Sequence, residues 1–171
     1  VGNAEGIIEE DEKEMIHSIV TLGETSAKEV MTPRTSMFSL EGEKTINEIW
    51  DEITENGFSR IPVYEETIDN IIGILYVKDL MEHVKNNELD IPIKQFVRSA
   101  YFVPETKSII EILKEFRTLK VHIAMVLDEY GGVVGLVTIE DLIEEIVGEI
   151  RDEYDDEEDS FFKKIADNEY E

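Results

Sequence analysis

Thr138 and Asp141 stand three residues apart in Gly135-Leu-Val-Thr-Ile-Glu-Asp141, at the end of a short apolar run. A short hydroxyl followed three positions later by a carboxylate is the pattern of a helix start, where each side chain can satisfy a backbone N–H that the first turn leaves unpaired. The same geometry has a second use. A helix N-terminus presents free N–H groups and partial positive charge to a phosphate, and a neighbouring carboxylate can accept both hydroxyls of a ribose. Thr138 and Asp141 therefore read either as a cap alone or as part of a nucleotide-shaped site. Gly73-Ile-Leu-Tyr-Val-Lys-Asp79 repeats the phrase earlier in the chain, with Tyr76 in the hydroxyl position and Asp79 keeping the acid.

The elements that position these residues are themselves repeated. At an offset of 63, Thr45-Ile46 lies over Ser108-Ile109, and Ile49, Trp50 and Ile53 over Ile112, Leu113 and Phe116. Each set has the spacing of an amphipathic helix with one buried stripe. Each helix also opens on a capping pattern, Thr45 with Glu48 and Ser108 with Glu111. Arg60–Tyr64 then aligns with Ile123–Leu127 as strands, followed by the turns EETIDN and DEYGG. The second turn is one residue shorter, so Ile71–Val77 falls over Val133–Ile139 at an offset of 62, each running into a helix, Lys78–Lys85 and Glu140–Val147. With Met37–Leu40 and Tyr101–Val103 as leading strands, each unit reads β-α-β-β-α, an α+β fold. A unit of this size buries too little surface to stand alone, so the two are expected to pack as a pseudo-twofold pair across a shared core.

Composition narrows the partners. The 171 residues carry a formal net charge of −25, which repels phosphate backbones and makes nucleic acid an unsuitable partner. The chain has no cysteine, which removes disulfides and thiolate metal sites. His17, His83 and His122 show no ligand spacing, and no nucleophile elbow or phosphate-cradling glycine loop is present, so a non-enzymatic role is expected and no protein metal site is assigned. The acidic run Asp152–Asp159 reads as a solvated linker rather than a selective Mg²⁺ cage.

The tandem of units closing on Gly-h-h-[Ser/Thr]-x-x-Asp-Leu resembles a pair of CBS motifs, a Bateman module. VMTPR, GFSRIPVY, GILYVKDL, VRSAYFVPE, MVLDEYGG and GLVTIEDLIEEIVGEI more narrowly resemble the CBS pair of the CorC/HlyC hemolysin-like, CNNM-related magnesium and cobalt efflux family. The resemblance implies an adenosine nucleotide, ATP or AMP, in a cleft between the motifs, with Mg²⁺ carried by the nucleotide. It places the family's Thr/Ser and Asp on Thr138 and Asp141, with Asp141 on the ribose hydroxyls, Arg60 within Ser59-Arg60-Ile61-Pro62 on phosphate, and Thr32, Pro33 and Ile61 along adenine. The symmetry-related cleft around Tyr76, Asp79, Arg98, His122 and Ile123 is expected to bind weakly or stay empty, because Tyr76 cannot act as a short hydroxyl cap; Arg98 reads as an ordinary surface charge.

The resemblance further implies a division into a helical lead-in at 1–29 from an upstream membrane domain, a first motif at 30–90, a second at 91–151, and an acidic linker with the start of a C-terminal domain at 152–171. The whole would sit on the cytoplasmic face of a membrane as a homodimer associating through the CBS helices, coupled to its own transmembrane and C-terminal domains. Two functions fit: a nucleotide-responsive regulator of a linked ion transporter, or a dimerisation scaffold without a physiological ligand.

Overall fold

The computed structural model describes residues 12, 13, 16, 17 and 19–153, with side chains described as far as 148. The linker residues from 154 onward and the closing FFKKIADNEYE lie outside the described residues, as does the opening through 11. Among the described residues, no helix is long and apolar enough to cross a membrane.

Two β-α-β-β-α units follow a helical stretch at 19–24 and a short helix α1 (Ala27–Val30). The first comprises β2 (Leu40–Glu41), α2 (Ile46–Asn56), β3 (Arg60–Glu65), β4 (Thr67–Tyr76) and α3 (Met81–Lys85), and the second β5 (Phe102–Pro104), α4 (Ile109–Leu119), β6 (Ile123–Leu127), β7 (Val133–Thr138) and α5 (Ile139–Glu153). A two-residue strand β1 (Thr32–Pro33) precedes both. The lead-in pattern Ile16, Ile19 and Val20 is not turned inward: these residues are 60, 55 and 53% exposed, whereas Leu22 is buried in the second motif's core.

α2 and α4 form as their stripes require, burying Ile46, Ile49 and Ile53 in one and Ile109, Ile112 and Phe116 in the other. Thr45 and Glu48 make the reciprocal capping box, whereas Ser108 only accepts the Glu111 N–H. The EETIDN stretch is not a six-residue turn. β4 begins at Thr67, the bend is concentrated at Glu66 (φ 65°), and Glu65 pairs with Thr67. The expected Lys78–Lys85 helix splits into a 3₁₀ turn, Val77–Leu80, and α3. α5 extends past Val147 to Glu153, so residues 152 and 153, read from sequence as linker, are helical; Leu142, Ile143, Ile146 and Val147 continue a helical apolar spacing.

The strands form two sheets, β2-β3-β4 and β1-β7-β6-β5. Their facing sides share a core of Ile71, Ile74, Ile123, Met125, Val133 and Leu136, while the outer faces carry each motif's own helices. A repeated irregularity shapes this division. Tyr64 pairs with Ile71 and Val63 with Gly73, so Ile72 is an extra residue; Leu127 pairs with Val133 and Val126 with Gly135, so Val134 is its counterpart. Each bulge puts residues three apart, Ile71 with Ile74 and Val133 with Leu136, on the same inter-sheet face.

The motifs also exchange segments. Thr32 and Pro33 of the first motif pair with Leu136 and Gly135 on β7, and Arg98 of the second makes an antiparallel bridge to Ile74 on β4. This accounts for the repeated glycine. A Cβ on Gly135 would stand 2.4 Å from the Thr32 carbonyl oxygen, and one on Gly73 would stand 2.6 Å from that of Arg98. Farther along the same interface Asp69 of β4 accepts hydrogen bonds from Arg34 Nη1 (2.6 Å) and from the Val133 N–H (3.1 Å), while Arg34 Nη1 also donates to the Val133 carbonyl (3.2 Å). One ion pair from the first motif thus satisfies both backbone groups at the start of β7. The hydrogen bond from Arg34, followed by that from Val133, holds the Asp69 carboxyl below its ordinary range.

Two outcomes follow from these contacts. Gly135→Ala should cost about 1–3 kcal/mol in urea unfolding, as overpacking against backbone does, whereas Gly23→Ala, with nothing within 4 Å, should be neutral or slightly stabilising. For Asp69 the folded pKa is the lower one, so its contribution is complete above the unfolded value of about 3.9 and is lost as pH falls through the folded value. The stability gap between wild type and Asp69→Asn should therefore be present at pH 7 and shrink on acidification below about pH 3.9. Urea midpoints measured across that range test it; a pH-independent gap would show that the charge is not what holds the clamp.

Candidate functional site

β7 delivers Thr138 to the start of α5, where the reciprocal cap forms: Asp141 N–H donates to Thr138 Oγ1 (3.2 Å) and Thr138 N–H to Asp141 Oδ2 (3.3 Å). The capping reading is therefore realised. It does not exhaust the pair, since Asp141 Oδ1 has no hydrogen-bond partner among the described residues. Both residues border a cleft of about 390 Å³ between the motifs, within the range of small-molecule sites.

The cleft brings together Thr32, Ser59, Arg60, Pro62, Thr138 and Asp141, which the chain supplies from three distant segments. Two residues expected there are elsewhere, for reasons of strand alternation and pairing. Ile61 points to the opposite face of β3 and is fully buried in the first motif's core. Pro33 pairs with Gly135 and borders a separate pocket beside Arg34 and Asp69. Ile123, expected in the symmetry-related cleft, lines the principal one.

Sequence reasoning missed the aromatic and apolar wall. Phe38 and Phe58 stack with ring centroids 5.8 Å apart at 22°, and Met37 and Leu136 border the same space, with Ser36, Gly57 and Glu140. Phe58 lay within the GFSRIPVY phrase, and its 52% exposure is the mark of an aromatic without a core. Glu140 adds a second carboxylate beside Asp141.

Arg60 is the only cation lining this cleft among the described residues. Its Nε is buried without a hydrogen-bond partner, and its guanidinium carbon lies 5.6 Å from the centroid of Tyr76, its partner across β3 and β4. Among the described residues no carboxylate pairs with Arg60, so its guanidinium charge is left for an anionic ligand in the cleft. The residues thus fit a ligand with an anionic end near Arg60, a diol or similar donor pair near Asp141, and a flat apolar body against the Phe38–Phe58 wall.

The symmetry-related position is built differently. Arg98 is not an ordinary surface charge: its Nε and Nη2 donate to Asp79 Oδ2 and Oδ1, both at 2.8 Å, and its guanidinium carbon lies 4.2 Å from the Tyr76 centroid. The hydrogen bonds from Arg98 hold the Asp79 carboxyl below its usual range. His122 is exposed; its carbonyl accepts the Ile139 N–H, and its side chain does not join this cluster. Among the described residues no group of three or more His, Asp or Glu side chains is arranged to hold a metal ion.

The sequence model of the CBS domain matches residues 27–86 and 90–148. The magnesium and cobalt efflux protein CorC of Salmonella typhimurium is 41% identical over 160 residues, covering 94% of this chain and 55% of that protein. The chain spans about half the length, or less, of the curated relatives it matches. A solved CBS domain of a bacterial CNNM/CorC family Mg²⁺ transporter in complex with ATP is 46% identical with a TM-score of 0.75, covering 80% of this chain and 97% of that one. A CBS-domain pair with bound AMP from Klebsiella pneumoniae is 29% identical with a TM-score of 0.64, covering 72% and 98%. The chain belongs to the CBS-domain family, as a tandem CBS pair of the CorC/CNNM group.

Proposed function

We propose that this chain is a non-enzymatic regulatory module that binds an adenosine nucleotide between its motifs and biases a linked membrane ion-transport domain. The observation that carries the reading is the convergence, in one cleft, of a carboxylate with a free oxygen and an arginine with an unpartnered buried nitrogen. Asp141 Oδ1 would accept the ribose hydroxyls, the α5 N-terminus and Arg60 would face the phosphates, and the Phe38–Phe58 wall with Ile123 and Leu136 would cover the base. Mg²⁺ would arrive on the phosphates rather than on a protein cage. Solved relatives in complex with ATP and with AMP support the ligand class.

Regulation requires that the ligand distinguish two arrangements of the motifs. A cleft whose walls come from both motifs meets that requirement, because Arg60 and Phe58 lie on one and Thr138 and Asp141 on the other. The transported ion in this reading is magnesium or cobalt, as the name of the CorC relative states for that protein. Homodimerisation through the helices, a cytoplasmic position beneath the membrane, and further domains on either side complete the proposal. Ile143 and Val147, both 49% exposed on α5, offer apolar surface for such association.

Calorimetric titration of the fragment with ATP and AMP, with and without Mg²⁺, should give saturable heat. Asp141→Ala should weaken binding at least tenfold, the loss expected when a charge-assisted hydrogen bond worth about 1.5–3 kcal/mol disappears. Arg60→Ala should weaken ATP more than adenosine. Absence of heat from wild type at millimolar ligand would sink the sensor reading and leave the dimerisation scaffold.

A further inference from the structure

The pseudo-twofold repeat gives residues of the principal cleft counterparts at the related position of the first motif. Thr32 bridges to Leu136 at the principal cleft, and Arg98 bridges to Ile74 at the related one, so Arg98 takes the backbone position of Thr32. Tyr76 takes the position of Thr138 and Asp79 that of Asp141. At the principal cleft the carboxylate keeps a free oxygen. At the related one both oxygens accept from a guanidinium that presents two N–H groups, as a ribose presents two O–H groups, and whose carbon lies 4.2 Å from the Tyr76 ring centroid.

We infer that Arg98 is a built-in occupant of the first motif's cleft, a side chain that fills a latent nucleotide site by supplying the donors a ribose would supply. The inference rests on the nucleotide reading of the Thr138–Asp141 cleft. Two features argue that the plug is local rather than a lost site. The Arg98 backbone makes its own N–H and C=O bonds to Ile74, at 2.9 and 2.8 Å, so the segment is held without its side chain. Asp79 stays in place on the 3₁₀ turn that follows β4, with 27% of its side chain exposed, and can be resolvated when unpaired. The opened cleft would carry Lys78 where the principal cleft has Glu140. One lysine suits a nucleoside monophosphate better than a triphosphate, which makes AMP the appropriate probe.

The test restores the residues of the principal cleft to the plugged one, in the triple variant Tyr76→Thr/Arg98→Thr/Asp141→Asn, where the third change removes the principal site. Equilibrium dialysis with AMP should find one molecule bound per chain, and adding Asp79→Asn should abolish it. Without the Asp141 change, stoichiometry should rise from one to two. Arg98→Thr alone, which keeps the aromatic ring, should already give a second, weaker site. Folded variants, judged by a cooperative thermal transition, that stay at one AMP in the Asp141 background and none in the Asn background overturn the inference. Wild type that binds no AMP or ATP, with a triple variant that binds one AMP, would discard the principal-cleft reading and keep this one; failure of both to bind discards both.

Discussion

The structure depends on a reciprocal crossing. A segment of the first motif lies on the last strand of the second, and a segment of the second lies on the last strand of the first, each approaching so closely that only a glycine fits beneath it. Neither motif is complete without the other's segment, which suits units too small to bury a sufficient core alone. The crossing also sets the clefts. Thr32 and Arg98 reach the ends of β7 and β4 only because their backbones are pinned there, so the contact that joins the motifs also decides what lines each cleft.

The repeated bulges at Ile72 and Val134 serve the same end. Strict alternation would send every second residue of β4 and β7 to the same face, but the extra residue shifts the pattern by one. Ile71 and Ile74, like Val133 and Leu136, then share the inter-sheet core, while Leu75 and Val137 turn toward the helices. Burial of these branched side chains, each worth about 1.5–3 kcal/mol, holds the sheets face to face. The Arg34–Asp69 pair is partly exposed, so the stability its charge adds is modest. Its value lies in satisfying both backbone groups of Val133 at the margin of that core.

Electrostatics divides the two clefts. In a chain with net charge −25, cations are scarce, and three of them, Arg60, Lys78 and Arg98, lie within 6 Å of one tyrosine ring. Arg98 is neutralised by Asp79 at short range, whereas Arg60 faces the principal cleft with a nitrogen unpartnered. Tyr76 links them, a large aromatic surface on which positive charge can rest without a carboxylate. The departure from the short hydroxyl at this position is thus tied to a different job for the whole first-motif cleft.

Local pattern alone determined the α+β class, the helices with their buried stripes and the Thr138–Asp141 cap, because each depends on neighbours within one or two turns of chain, and the tandem repeat was legible as the recurrence of that pattern at an offset of 62–63. The Gly-x-x-x-x-x-Asp phrase was also legible, but its glycine was not explained: the carbonyl that excludes a side chain at Gly135 comes from Thr32, more than a hundred residues away. Tertiary structure decided the rest. Strand alternation buried Ile61, pairing drew Pro33 away, and the arrangement of the two motifs put Ile123 and the Phe38–Phe58 stack into the principal cleft. Arg98 shows the limit most plainly. As a letter it was one charge among sixteen basic residues, and only the crossing of its backbone over β4 aims its guanidinium at Asp79.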